Sequence, residues 1–594
     1  MNCVHRATVL KSMTNIPIVF VTIVVACFWL AQAVAATERP NVLFIAVDDL
    51  RPELGCYGNP IVKTPNLDRL ATRSVVFDRA YCQQAVCSPS RTAMLTGLRP
   101  DTTKVWDLKT HFRTAQPDCV TLPQLFKSNG YHTSALSKIY HSGYEDGRSW
   151  SEPHWYPKGR SVDTDPMDWS KRIVTRHDIN TEEFANPIAE RSNDSKNQEA
   201  KKGPAFEVSP KSEEQLPDGA TAAEAIRRLK TLKEQGAPFF LAVGFLKPHL
   251  PFVAPKKYWD LYDPDSIPMP TIDHLPAGCP EFAGHSNGEL HNYPGVPAEN
   301  PIPKDFAKIL RHGYYACISY VDAQIGRVLD ALEREGLSEN TIVVLWGDHG
   351  WQLGDHGLWH KHTNFEVATR APLLISVPGQ KSAGQHCSSP VEFIDVYPTL
   401  SELCGLQPPQ NLAGKSLCNF INDPATESNT FAISQYPRKD PKSGLSVMGY
   451  SIRTTRWRAT YWKDRASPKI VATELYDEDN DPFETENLAD KLEHRELINS
   501  LVKHIPEVSY APDISNRKAN DGKSDSTNPS AATSFNDRGA RFDKLDANKA
   551  GRISREQYKS QQTDPKAADS RFTKWDTDQD GFLTREEFLA QGKP

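Results

Sequence analysis

Two uninterrupted apolar runs, each ending in acid, limit what this chain can fold into more than any other feature. Asn41-Val42-Leu43-Phe44-Ile45-Ala46-Val47 stops at Asp48-Asp49, and Thr341-Ile342-Val343-Val344-Leu345-Trp346-Gly347 stops at Asp348-His349. Apolar runs without polar alternation predict strands buried on both faces. In open α/β sheets, ligands gather at the carboxyl ends of such strands. Three carboxylates brought together there repel one another unless a cation sits among them. Oxygen donors suit Ca²⁺ or Mg²⁺. His349 is a softer partner, which fits weak ligation, contact with a substrate oxygen, or another metal. Read alone, each pair is also an ordinary solvated corner between strand and turn.

Between and around these runs the pattern alternates. Leu122 to Asn129 predicts a helix closed by Gly130, and Ala222 to Gln235 another, ended by Gly236. Phe239 to Phe245 predicts a buried strand, and Phe306 to Glu335 a long amphipathic helix. The expected class is α/β, a large mixed sheet sandwiched by helices. Residues 146–215 are polar, and residues 263–305 are rich in Pro and Gly. Both are expected to be long loops that shape a substrate pocket. Residues 430–505 alternate short strand-like runs with turns, consistent with a smaller C-terminal α+β subdomain.

Chemistry is concentrated at Cys87-Ser88-Pro89-Ser90-Arg91. A cysteine in Cys-x-Pro-Ser-Arg is the site that formylglycine-generating enzymes oxidise to an aldehyde; the competing reading is a buried thiol or half a disulfide. Ser90-Arg91 opens a helix-like run closed by Gly97. A helix N-terminus presents free N–H groups and the positive end of its dipole, which suits a nucleophile that meets an anion. The Arg91 fork can hold the modified side chain or a metal-bound carboxylate.

With these residues in hand, the chain resembles the sulfatase branch of the alkaline phosphatase superfamily, and within it the iduronate-2-sulfatase group. The resemblance rests on Asp48-Asp49, the Cys87 motif and Asp348-His349-Gly350. It extends through Thr96 to Thr103, Ser137 to Gly143, Lys247 to Phe252, Gly354 to Lys361, Ser434 to Arg438 and Met448 to Thr454, spanning roughly residues 40–500. Arylsulfatases commonly carry Asp-Asn where this chain has Asp348-His349, and the His fits the iduronate group.

The resemblance implies roles. Asp48, Asp49, Asp348 and His349, together with modified Cys87, would bind Ca²⁺. Arg91 and Lys138 would stabilise the formylglycine hydrate, and His141 would act as base on it. His249 and Lys361 would hold the sulfate, and one of them would protonate the leaving sugar oxygen. Read from the residues alone, Lys138 and His141 are equally surface residues after a strand, and His249 a solvated loop histidine. The cluster His360-Lys361-His362 could as well bind anions or stray metal. The chemistry nonetheless needs these types. Sulfate-ester cleavage builds charge on the leaving oxygen, so cations and a near-neutral acid lower its barrier. A plain Ser nucleophile would end as a stable sulfate ester, whereas an aldehyde hydrate has a second hydroxyl whose deprotonation expels sulfate.

The last sixty residues tell a separate story. Asp576-Thr577-Asp578-Gln579-Asp580-Gly581-Phe582-Leu583-Thr584-Arg585-Glu586-Glu587 matches an EF-hand loop, with ligands from Asp576, Asp578, Asp580, the Phe582 carbonyl and Glu587. A weaker loop runs from Asp546 to Gln557, and the two predict a small helical Ca²⁺-binding pair at 535–594, behind a flexible Ser- and Asn-rich linker at 511–534. Residues 1–36 read as a signal peptide, with Arg6 and Lys11 before an apolar core. Val24-Val25-Ala26-Cys27 also resembles a lipoprotein site that would tether the chain through Cys27.

The expected organisation is therefore signal peptide 1–36, catalytic domain 37–429, subdomain 430–510, linker 511–534 and EF-hand pair 535–594. Periplasmic or secreted localisation follows. A net charge of −6 over 594 residues gives no nucleic-acid footprint. Of eleven cysteines, Cys3 and Cys27 fall in the leader, and eight besides Cys87 are open to pairing. The expected partners are a sulfated polysaccharide substrate and the formylglycine-generating enzyme. Two competing functions remain: a phosphatase or phosphonate hydrolase of the same superfamily, and a non-catalytic Ca²⁺-dependent polysaccharide-binding protein.

Overall fold

The computed structural model describes residues 39–157, 160–162, 203–426, 428, 430–505 and, beyond these, 542, 545–546, 551–560, 569, 572–576, 578, 580–584 and 587–588. The leader, with Cys27, and the linker at 511–534 lie outside the described residues. The chain divides into two units, residues 1–514 and 515–594.

The first unit is built on nine strands: β1 (Asn41–Val47), β2 (Val75–Phe77), β3 (His132–Ser137), β4 (His154–Tyr156), β5 (Arg160–Val162), β6 (Phe239–Phe245), β7 (Thr341–Gly347), β8 (Leu373–Ser376) and β9 (His386–Cys387). Their order across the sheet is β9-β2-β8-β7-β1-β6-β3-β4-β5. β1 runs parallel to β6 and β7, β3 is parallel to β6, and β7–β8 and β8–β2 are antiparallel. The sheet is mixed, as expected.

Both faces of the centre are buried, which is why β1 has no polar alternation. Leu43, Ile45 and Val47 join one core with helices Pro217–Gln235 and Lys304–Arg334; Val42, Phe44 and Ala46 join another with helices Cys87–Thr96, Leu122–Ser128 and Val396–Leu403. A fully buried side chain of this kind contributes roughly 1.5–3 kcal/mol. In chain order we label these helices α1 (Cys87–Thr96), α2 (Leu122–Ser128), α3 (Pro217–Gln235), α4 (Gly288–His291, in the Pro- and Gly-rich stretch), α5 (Lys304–Arg334) and α6 (Val396–Leu403).

The polar stretch 146–215 departs from the expected loop where it is described. It supplies β4 and β5 at one sheet edge, and Phe206–Ser209, which pairs in parallel with Phe252–Pro255. The pattern was hidden because these strands are three or four residues long. The eight cysteines open to pairing are all free thiols, and Cys82, Cys317, Cys387, Cys404 and Cys418 are buried.

Four antiparallel strands, β10 (Ala432–Lys439), β11 (Ser446–Arg453), β12 (Trp457–Asp464) and β13 (Ile470–Asp477), form the smaller subdomain. It is fastened to the main sheet by groups the sequence had singled out. Gln435 Nε2 and Tyr450 OH donate to the two oxygens of Asp101 at 2.9 and 2.6 Å. Ser434 Oγ donates to Cys82 O (2.6 Å), and Gln435 N to Gln83 O (2.8 Å), just ahead of α1. Arg458 is buried among Glu366, Glu478 (3.2 Å) and Glu484 (2.9 Å), which closes the seam.

The second unit has one described sheet. β14 (Arg552–Ser554) and β15 (Phe582–Thr584) pair antiparallel through Ile553 and Leu583. Phe542, Tyr558, Phe572, Leu583 and Phe588 make its core.

Candidate active site

The register of the central strands assembles the site. Val47 of β1 lies opposite Gly347 of β7 and Phe245 of β6, and Ser137 of β3 lies opposite Gly244. The four strands therefore end at one edge, and Asp48-Asp49, Asp348-His349, Lys247 to His249 and Lys138 all leave from it. Close approach is enforced at Gly244, where a Cβ would sit 2.2 Å from Lys138 O. Asp49 turns back with φ 58°, and Tyr314 of α5 donates its hydroxyl to Asp49 O at 2.7 Å.

Cys87 is the first residue of α1, and all ten residues of that helix are buried. Its Sγ lies 3.5 Å from Asp48 Oδ1, 3.9 Å from Asp49 Oδ1, 3.4 Å from His349 Nε2 and 3.7 Å from Lys138 Nζ. Burial, followed by the charge of Asp48, pushes the thiol well above its ordinary pKa. One turn on, Arg91 Nε donates to Asp348 Oδ2 (2.8 Å) and Nη2 to Asp48 Oδ1 (3.1 Å), while Nη1 reaches Ile139 O (3.1 Å). Lys138 Nζ donates to Asp48 Oδ2.

The donor set fits a divalent cation. His349 Nδ1 lies 2.9 Å from Gly350 O, an acceptor, so Nδ1 carries the hydrogen. Burial holds this ring below its usual pKa. Its Nε2 lone pair therefore faces the Cys87 thiol at 3.4 Å and, at 3.3 and 3.7 Å, Asp49 Oδ1 and Asp348 Oδ1, which offer it no proton while ionised. Asp49 is pushed well above the carboxylate range by burial, and the charges of Asp48, Glu289 and Asp348 add to it against Lys361. Burial would raise Asp48 too, but Lys138, His249 and Arg91 hold it well below the ordinary value. A cation among Asp48, Asp49, Asp348 and His349 would relieve both the repulsion and the misfit.

On the outer side, Lys361 Nζ lies 3.2 Å from Asp49 Oδ2 and 2.8 Å from Glu289 Oε1, above the Trp351 ring. Burial opposes its charge, but Asp49 and Glu289 outweigh that and raise its pKa well above the usual value. His249 Nε2 is 3.7 Å from Asp49 Oδ2 and 3.5 Å from Glu289 Oε1. Burial first, then Lys361 and Lys138, push its ring well below 6.5. His249, Glu289 and His362 keep partial exposure while Cys87 and both Asp residues are buried, so the site opens on that side. His141 follows Lys138 in the loop after β3, buried, its ring 6.0 Å from that of Tyr144.

Asp48, Asp49, Cys87, Arg91, Lys138, His249, Asp348, His349 and Lys361, all named from the sequence, are thus held in one contact network. His141 lies three residues beyond Lys138 on the same loop. Glu289 was missed. It sits on the four-residue α4 inside a Pro- and Gly-rich stretch, and no local pattern marks it. In the second unit, Asp576, Asp578 and Glu587 bring oxygens within 4.8 Å of one another. Asp576 is 5 % exposed, and its Oδ1 has no hydrogen-bond partner, while Gly581 N donates to Oδ2 at 3.1 Å. An orphaned buried carboxylate oxygen in that position fits a cation.

Comparison with known proteins gives a consistent picture. Residues 40–406 match the family described as Sulfatase, and residues 354–511 match the family N-sulphoglucosamine sulphohydrolase, C-terminal. Mouse iduronate 2-sulfatase is 36% identical over 538 residues, covering 79% of this chain and 94% of that protein. Among solved structures, BT4656 in complex with its substrate D-glucosamine-2-N,6-O-disulfate aligns with a TM-score of 0.59 at 22% identity, covering 78% of this chain and 96% of that one. The phosphonate monoester hydrolase of Agrobacterium radiobacter aligns with a TM-score of 0.58 at 24% identity, covering 78% and 94%. At these identities the two structures speak to the fold, which is the alkaline phosphatase-like sulfatase fold.

Proposed function

The chain belongs to the sulfatase family and is a sulfuric ester hydrolase, and we propose that it is an exported enzyme that removes sulfate from a uronic acid or related sugar of a sulfated polysaccharide. The likeness to iduronate 2-sulfatase, which runs across nearly all of that protein, supports this substrate class. The observation that carries the reading is the seat of Cys87, at the first position of α1 with Asp48, His349 and Lys138 between 3.4 and 3.7 Å from Sγ.

In this reading position 87, matured by a formylglycine-generating enzyme, would carry a hydrated aldehyde, which would offer one hydroxyl for attack on sulfur and a second whose deprotonation would expel sulfate and restore the aldehyde. A divalent cation held there, Ca²⁺ in this proposal, would supply Lewis-acid polarisation. The protein does the rest. Asp48, Asp49, Asp348 and His349 would hold the cation. Arg91 fixes the orientation of Asp48 and Asp348 and acts on position 87 through them. Lys138 faces position 87 directly and offsets charge that develops there. His141 is the base for the hydrate. Lys361 stays protonated and holds the sulfate. His249, neutral in the free site, gains a proton as the anionic substrate arrives and delivers it to the leaving sugar oxygen.

The C-terminal unit is a Ca²⁺-binding EF-hand pair, supported by the orphaned oxygen of Asp576 and the short sheet between the two loops. It serves a structural or tethering role, because calcium outside the cell is plentiful. Export through the leader, to the periplasm or medium, with Cys27 as a candidate lipid tether, completes the proposal; among the described residues, no helix is long and apolar enough to cross a membrane.

Turnover on a panel of defined sulfated disaccharides, paired with phosphate and phosphonate esters, tests it. Sulfate release from a sulfated uronic acid is the expected result. Faster turnover of the phosphorus esters would overturn it in favour of the other activity of this fold.

A further inference from the structure

We propose that Glu289, His360 and His362 form a second metal site, for a zinc-class divalent cation, on the rim of the active site. Glu289 Oε2 lies 3.9 Å from His360 Nδ1 and 3.9 Å from His362 Nε2, and one donor atom from each of the three residues lies within 4.8 Å of the other two. Tetrahedral zinc with ligands at about 2.0–2.1 Å sets donor atoms roughly 3.3 Å apart, so each imidazole nitrogen needs to close on Glu289 Oε2 by about half an ångström.

The independent sign of a ligand is His360. It is 1 % exposed, and neither of its ring nitrogens has a hydrogen-bond partner; Glu289 Oε2 has none either. Buried polar atoms are rarely left so. Burial first, and then neighbouring cationic groups, hold the His360 ring neutral; burial does the same for His362 against the pull of Glu289, so both rings have lone pairs to give. The third histidine nearby, His285, is already committed. Asn287 N donates to its Nδ1 at 3.1 Å, its Nε2 therefore donates to Gln352 Oε1 at 3.1 Å, and its ring stacks on His360 at 3.9 Å. It buttresses the ligand ring. The backbone places His360 (φ 73°) and His362 (φ 36°) in the left-handed region on both sides of Lys361, a conformation that costs energy outside glycine.

Two imidazoles and one carboxylate suit zinc, whereas the oxygen-rich set around Asp48 and Asp49 suits calcium. The same carboxylate faces both ways, because Glu289 Oε1 accepts from Lys361 at 2.8 Å. A cation on Oε2 would therefore pin α4 to the loop that carries Lys361 and set the shape of the pocket mouth. This site does not depend on which ester the enzyme cleaves.

The test titrates Zn²⁺ into full-length protein, stripped with chelator and kept in excess Ca²⁺, by calorimetry, with bound zinc counted by elemental analysis. Co²⁺ loading gives a visible d–d spectrum as a second readout. We expect one zinc site that persists in Cys87→Ala, and that His360→Ala and Glu289→Gln weaken by roughly a hundredfold or more. Chelator-treated variants should melt as the chelator-treated parent does, which separates lost ligation from lost fold. No zinc site in the parent, or one lost in Cys87→Ala and kept in both His360→Ala and Glu289→Gln, would overturn the proposal.

Discussion

Glu289 accepts a hydrogen bond from Lys361 at 2.8 Å, a contact between a four-residue helix and a loop 72 positions later. Lys361 therefore meets two carboxylates, Asp49 and Glu289, in the place where an incoming sulfate would need its charge. Replacing Glu289 with Gln should free that charge. Inorganic sulfate should then inhibit about tenfold more strongly, which corresponds to about 1.4 kcal/mol. Sulfate inhibition constants for the two proteins check this, and an unchanged or weaker inhibition would mean that Glu289 does not compete for Lys361.

Arg91 is fully buried and bridges Asp48 and Asp348. Arg91→Met leaves two buried carboxylates short of a partner, and the expected cost is roughly 3–5 kcal/mol in urea unfolding. Excess Ca²⁺ should restore part of the loss, since a dication between the same carboxylates replaces the missing charge. A cost under about 1 kcal/mol would show that the pair is not uncompensated.

The site was legible in the sequence where chemistry follows a strand. Asp48-Asp49 and Asp348-His349 close continuous apolar runs, and parallel pairing of those runs brings the two ends together. Cys87 was legible because its neighbours form a motif. Glu289 was not, because its position depends on how a Pro- and Gly-rich stretch packs over the Lys361 loop, and nothing in Gly288 to His291 encodes that. The edge strands β4 and β5 were missed for a related reason: three residues are too few to show a period. Gly97 and Gly236 marked their helix ends correctly, with φ 66° and 68°.

His154 sits behind the site, with its Nε2 on Ser137 O at 2.6 Å and its ring stacked on Tyr156 at 4.6 Å. Burial lowers its pKa to about 4. The unfolded chain binds that proton near pH 6.5, so it holds more protons than the folded state between the two values, and stability falls as the pH drops from 6.5 toward 4. The loss from this group amounts to about 3 kcal/mol below pH 4. Urea unfolding at about pH 7 and about pH 4.5, on either side of most of that window, should show a smaller drop for His154→Gln than for the parent. Equal drops would remove His154 from the account.

In the proposed EF-hand pair, Glu587 would be the bidentate closing ligand of the second loop; Thr584 N donates to its Oε2 at 3.0 Å. Glu587→Gln should weaken one bound Ca²⁺ by at least about tenfold in calorimetry. Sulfate release should stay within about twofold, because the residues proposed for catalysis all lie in the first unit. A parallel loss of turnover would tie that calcium to the active site.

The central claim concerns the state of residue 87. Mass spectrometry of the Cys87 peptide, taken from protein matured alongside a formylglycine-generating enzyme and assayed in the same preparation, tests it most directly. The account predicts an aldehyde at position 87 in proportion to sulfate released, and inactivity in Cys87→Ala. Full turnover from protein that carries only the thiol would contradict it.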